Sequence, residues 1–188
     1  FKELETDEKK YVKKCFKEQI LPVLSPQIVD SSHPFPHLMN KDIYVTANLK
    51  HINSRKNKDD KEKEQILGIV PVPTYVSDIL MLPGHDIRYI RMEKVIMEYL
   101  DLVFDQYEVS DPNYICVTRN ADVSPDDEAL EVTDDFRKLM QSTLHKRRRM
   151  AVVRLETAEK LTPEMQEYFC KKFKITPEQI FRTKMPMK

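Results

Sequence analysis

The side chains best suited to chemistry in this sequence are arginines. Lys146-Arg147-Arg148-Arg149, with Arg154 shortly after, is the densest basic cluster. A guanidinium presents a rigid fork of donors that matches phosphate oxygens, and several together suit a polyanion. A plainer explanation competes with that one. The run closes an apolar-periodic stretch (Phe136, Leu139, Met140, Leu144), and cations at the negative end of a helix dipole are ordinary. Arg119, in Val117-Thr118-Arg119-Asn120-Ala121-Asp122, is the second candidate. It stands where a strand-like alternation meets a loop, and an ion pair with Asp122 is its plainer alternative. Arg119, Arg147, Arg148 and Arg149 are the candidate polyanion contacts.

The other reactive side chains argue less. His33 and His37 are four apart, a spacing that on a helix would offer two metal ligands on one face. Pro34 and Pro36 forbid that helix, so a structural or surface role is expected. His51 and His85 fall at strand or loop ends, and His145 belongs to the basic run. The pairs Asp126-Asp127 and Asp134-Asp135 cannot converge on one atom, because adjacent helical residues diverge by about 100°; they fit the electrostatics of helix starts. Cys15, Cys116 and Cys170 are odd in number and widely spaced, which fits reduced thiols better than a disulfide framework or a zinc site. Gly68 and Gly84 are the two glycines, too far apart for a Walker loop or a GxGxxG turn. Phosphate binding here would have to use side chains or helix ends.

Composition sets the outer bounds. The 31 basic and 31 acidic side chains among 188 residues cancel, which excludes a domain-wide basic field for nucleic acid. A mean hydropathy of −0.56 and no apolar run near 18 residues argue against a membrane span. The chain opens on Phe1-Lys2 without an apolar signal-peptide core, so a cytoplasmic location is expected, and the missing initiator Met suggests a segment of something longer. The length suits one domain over residues 1–188.

The elements that must position these residues read as follows. Thr6-Asp7-Glu8 starts a helix whose apolar face is Val12, Phe16 and Ile20, stopped by Pro22 and Pro26. The proline-rich stretch from Leu24 to Leu38 is a stiff extended connection that cannot sit in a central strand. Ile43 to Lys50 alternates with period two and predicts a half-buried strand, forming a hairpin with Ile66 to Val72 across the charged loop Asn53 to Glu64. That loop is expected to be the most mobile. A strand at Ile87 to Arg91 and a helix from Glu93 to Phe104 follow. Further strands are expected at Tyr114 to Arg119 and Val152 to Glu156, with a helix before the arginine run. Thr162-Pro163-Glu164 and Thr176-Pro177-Glu178 each place a capping hydroxyl before a proline, and Ile180 to Thr183 returns to the sheet. The irregular alternation predicts an α+β fold, a mixed or antiparallel sheet with helices packed on it.

Gln19-Ile20-Leu21-Pro22-Val23-Leu24-Ser25-Pro26, followed by Val29-Asp30-Ser31-Ser32-His33-Pro34-Phe35-Pro36, resembles a segment of the long bacterial polyphosphate kinases, which form a phosphohistidine. So do Val117 to Asp122 and Arg147-Arg148-Arg149 leading into Val153-Arg154-Leu155-Glu156. The order and spacing agree across almost the whole chain, and the part resembled is the middle, or head, domain. That resemblance implies a fold like the phosphohistidine phosphatases and a structural and dimerisation role. The parent enzyme would reversibly transfer the terminal phosphate of ATP to inorganic polyphosphate. ATP and magnesium are implied for the parent, and the catalytic histidine motifs are not in this chain, so it is expected to be inactive alone. The implied partners are the other domains of the same kinase, a second copy and polyphosphate, with Arg119 and Arg147 to Arg149 as candidate polyphosphate contacts. The alternative is a stand-alone phosphate-binding or phosphatase-like module.

Overall fold

A computed structural model of the chain describes residues 1, 3–52, 66–84, 87–120 and 150–183. They belong to two compact units, Phe1–Pro36 with Ile43–Ile115, and His37–Asp42 with Cys116–Lys188.

The first unit begins with α1 (Thr6–Cys15). Its N-cap is Glu5 rather than Thr6, because Glu5 and Glu8 form a reciprocal capping box. The apolar repeat continues past α1 into a π-helical turn, Phe16–Ile20, and a short 3-10 turn, Leu21–Val23, that accommodates Pro22. Val12, Phe16 and Ile20 are all buried, as their spacing predicts. Strand β1 (Gln27–Val29) lies inside the proline-rich connection, at the sheet edge where flanking prolines are tolerated. The strand order is β1-β3-β2-β6, with β2 at Ile43–His51, β3 at Ile66–Pro71 and β6 at Tyr107–Arg119. The pairing of β3 with β1 and β2 is antiparallel, with Val45 opposite Val70 and Ile28 opposite Gly68.

Strand β2 corrects one expectation. It is buried on both faces from Ile43 to Ala47, including Tyr44 and Thr46, because it lies between β3 and β6 and α2 packs on it. Helix α2 (Met92–Glu98) and the short α3 (Leu100–Val103) replace the single predicted helix, with a break at Tyr99. The Tyr99 ring stacks against Phe16 at 4.9 Å and meets the edge of Phe1 at 5.6 Å. After α3 the Phe104 ring lies directly over Gly68, where a Cβ would come within 2.8 Å of it. Gly68 is therefore a packing residue. A separate two-stranded antiparallel sheet pairs β4 (Ile79–Met81) with β5 (Tyr89–Arg91), and β4 was not foreseen from the sequence. Arg88 ties this hairpin to α1, donating to the buried Glu8 carboxylate at 2.6 Å and to the Glu3 carbonyl at 3.2 Å.

In the second unit the order is β6-β7-β8, with β7 at Val152–Thr157 and β8 at Ile180–Arg182. Strands β7 and β8 are parallel, Leu155 opposite Ile180, and so make the sheet mixed. Helix α4 (Pro163–Phe173) connects them. Thr162 accepts from the Met165 N–H and Pro163 opens the first turn, while Lys174 ends the helix in a left-handed conformation (φ 56°). Leu155, Met165, Phe169 and Ile175 form the core here. Burying each such side chain contributes roughly 1.5–3 kcal/mol. The second Thr-Pro signal makes only a 3-10 turn, Pro177–Gln179. The arrangement is α+β, as expected. No helix among the described residues is long and apolar enough to cross a membrane.

Candidate functional site

Arg119 closes β6, and the sequence around it explains why it is held so firmly. The segment 37–42 turns beside the strand through Lys41, which adopts φ 62°. The Lys41 N–H donates to the Val117 carbonyl at 2.8 Å, and the Asn40 side-chain carbonyl accepts the Arg119 N–H at 2.8 Å. On the other side, the Asn120 N–H donates to the Ala151 carbonyl at 2.9 Å. The half-buried guanidinium spans the two neighbours. Nε and Nη2 both donate to the Leu38 carbonyl, at 3.1 and 2.8 Å, and Nη1 donates to the Met150 carbonyl at 2.7 Å. Three charge-assisted bonds from one planar fork to main-chain oxygens make Arg119 a clamp between residues 37–42 and the entry to β7.

Met150 is the residue that follows Arg147-Arg148-Arg149 in sequence. Lys146 and the three arginines lie outside the described residues, as do Asp122, His85, His145, the Asp126-Asp127 and Asp134-Asp135 pairs and the Asn53 to Glu64 loop. Arg154, the other cation of the cluster, is engaged locally. Its guanidinium pairs with Glu156 at 2.8 Å and lies 4.4 Å from the centre of the Phe181 ring. Pairing and a cation–π contact are a surface role that contributes about 1 kcal/mol.

The histidines divide. His33 sits in the turn after β1, where Asp30 accepts from the Ser32 N–H at 2.8 Å, the His33 N–H at 2.7 Å and His33 Nδ1 at 2.9 Å. The bond from His33, reinforced by the two main-chain N–H groups, holds the Asp30 carboxyl below its usual range. Asp30 thus locks the turn and the imidazole together. His37 belongs to the other unit. His51 packs against the Tyr107 ring at 4.5 Å. Cys15 and Cys116 are buried thiols, and Cys170 is pushed up by burial and by the Glu178 carboxylate. Among the described residues, no three His, Cys, Asp or Glu side chains come together as a metal site would require.

The arginine signal was legible because of its residue type; its partners were not. Leu38 and Asn40 precede Arg119 by about eighty positions, and nothing in their identity announces a carbonyl acceptor. The Asp30-Ser31-Ser32-His33 turn was open to a sequence reading, since an Asp accepting from main-chain N–H groups two and three residues on is a common turn device.

Against known proteins, residues 7–188 match the family model described as "Polyphosphate kinase middle domain". The chain is 33% identical over 161 residues to a polyphosphate kinase of Bacillus cereus, covering 85% of the chain and 22% of that relative. It is 26% identical over 183 residues to the polyphosphate kinase of Pseudomonas putida, covering 95% of the chain and 24% of that protein. The crystal structure of polyphosphate kinase from Porphyromonas gingivalis superposes with a TM-score of 0.67 over 95% of the chain and 24% of its own length, at 24% identity. The chain therefore spans about a quarter of the length of the relatives it matches.

Proposed function

The chain belongs to the polyphosphate kinase middle-domain family, and we propose that it serves as a single non-catalytic head domain of a kinase that reversibly transfers the terminal phosphate of ATP to inorganic polyphosphate. The observation that carries this reading is the family match over residues 7–188 in relatives four times as long. Dimerisation, a cytoplasmic location and association with the other domains of the same kinase are part of the proposal. ATP and magnesium would act in those other domains. The described donor groups do not gather into a metal site, and no step here runs through one.

Within this proposal the Arg147 to Arg149 run supplies the polyphosphate contacts. Arg119 is the other proposed polyphosphate contact, and one of its three carbonyl bonds holds Met150, the residue that follows the run. The test of the head-domain reading is direct: the purified chain is incubated with ATP, magnesium and a polyphosphate primer. No elongation is expected, whereas turnover comparable with a full-length polyphosphate kinase would refute a non-catalytic role.

A further inference from the structure

The row of the sheet that crosses Gly68 lacks bulk. Ile28 lies opposite Gly68 and Gly68 opposite Ala47, and residues directly opposite in an antiparallel pair point to the same face. Two of those three positions therefore offer little or no side chain. The Phe104 ring fills the place over Gly68, within 2.8 Å of where a Cβ would stand. Ile28 and Phe104 thus share one face of the sheet, and beside them a cavity of about 270 Å³ stays open. The edge strand β1 supplies one wall through Pro26 and Ile28. The other wall is Val103 and the turn into β6, closed by a hydrogen bond from the Tyr107 N–H to the Phe104 carbonyl at 3.0 Å. All of these residues belong to the first unit.

We propose that this cavity is a binding site for a small organic ammonium ion, its apolar body against Ile28, Val103 and Phe104 and its charge beside the Asp105 carboxylate. The lining sets both halves of that ligand. Pro26, Ile28, Val103 and Phe104 present carbon, from which a hydrocarbon body displaces water. Asp105 is the charged group of the lining, and among the described residues no lysine, arginine or histidine joins it there. It is exposed and makes no ion pair with a described residue, whereas Glu108, three positions on, is taken by Lys50 at 3.9 Å. A ligand cation therefore meets an uncompensated carboxylate, and an anion meets a like charge. Polyphosphate, proposed above for the arginines, is disfavoured here by the same carboxylate. Phe104 and Tyr107 add aromatic rings, whose faces attract ammonium ions.

Size and rigidity limit the ligand further. Pockets for drug-sized ligands run from about 300 to about 1,000 Å³, so this one takes a smaller body, a single aromatic ring or a short alkyl chain. Phe104 is buried and wedged over Gly68, so the floor of the cavity is in place before a ligand arrives.

Three probes of nearly one shape separate charge from apolar contact: phenethylammonium, the neutral phenethyl alcohol and the anionic phenylacetate. Each is titrated into the isotope-labelled chain and followed by amide chemical shifts. Phenethylammonium should bind with a dissociation constant on the order of 1 mM, with the largest shifts at Ile28 and from Phe104 to Tyr107. The alcohol should bind at least about threefold more weakly, and phenylacetate should not bind below about 20 mM. Asp105→Asn should lower the ammonium affinity to that of the alcohol and leave the alcohol's unchanged. Asp105 is exposed, so this variant should unfold as the original chain does. Asp101→Asn, at an exposed carboxylate outside the lining, should leave all three affinities as they were. No ammonium binding below about 20 mM, or equal affinity for ammonium and alcohol, would overturn the proposal. So would shifts centred outside the cavity, an undiminished ammonium affinity in Asp105→Asn, or an equal loss in Asp101→Asn.

Discussion

Replacing Arg119 by alanine removes the guanidinium bonds of 2.7–3.1 Å that join the Leu38 and Met150 carbonyls. Hydrogen bonds to a charged group are each worth about 1.5–3 kcal/mol, but two of these share one acceptor and the side chain is half exposed, so water replaces part of the loss. A destabilisation of about 2–4 kcal/mol is expected, or roughly 5–15 °C in melting temperature for a chain of this size. Arg119→Lys should recover less than half of it, because a single ammonium nitrogen on a flexible stem lacks the separated, rigidly spaced donors with which the guanidinium reaches Leu38 and Met150 together. The bonds run from a charge to main-chain dipoles in partly dried surroundings, so the loss should persist in about 0.5 M salt. The assay is urea unfolding of the original chain and both variants at low and high salt, alongside polyphosphate binding. A contact made directly to polyphosphate would show the opposite pattern: unchanged unfolding, reduced primer affinity, and rescue by lysine that fades with salt. A triple alanine replacement at Arg147 to Arg149 provides the comparison, with affinity falling and stability holding. If Arg119→Ala unfolds at the same urea concentration as the original chain, the clamp carries no net stability and the reasoning fails.

Gly68→Ala should destabilise by roughly 1–3 kcal/mol, since the new methyl would meet the Phe104 ring at 2.8 Å and Leu49 at 3.0 Å; adding Phe104→Leu should return part of that loss in a double-mutant unfolding series. Asp30 has a depressed carboxyl pKa, so its contribution is present above the unfolded value near 3.9 and is lost as pH falls through the folded one. Asp30→Asn should therefore lower stability at neutral pH and converge with the original chain as pH falls through the depressed folded value, and a stability difference that stays constant as the carboxyl is protonated would contradict the account.

What the sequence made legible was what depends on neighbours along the chain. The α1 face at Val12, Phe16 and Ile20 could be read from its spacing, and the Thr162 cap from the Pro163 that follows it, whereas the proline-rich stretch read as a connection carries the edge strand Gln27–Val29. What escaped depends on distant residues meeting. Period-two alternation in Ile43 to Lys50 describes a strand with one wet face, yet Tyr44 and Thr46 are buried because β3 and β6 flank the strand and a helix covers it. Gly68 looked informative for the phosphate loop it could not build, whereas its actual task is to admit the Phe104 ring. The same division governs the candidate site. Arginine chemistry singled out Arg119 as a candidate polyphosphate contact, and the structure shows its guanidinium on main-chain carbonyls; guanidinium donors do not distinguish a phosphate oxygen from a main-chain carbonyl. Only the approach of Leu38 and Met150, neither near Arg119 in sequence, decides which oxygens it holds. A guanidinium can therefore spend its donors on fixing backbone, here the 37–42 segment against the entry to β7.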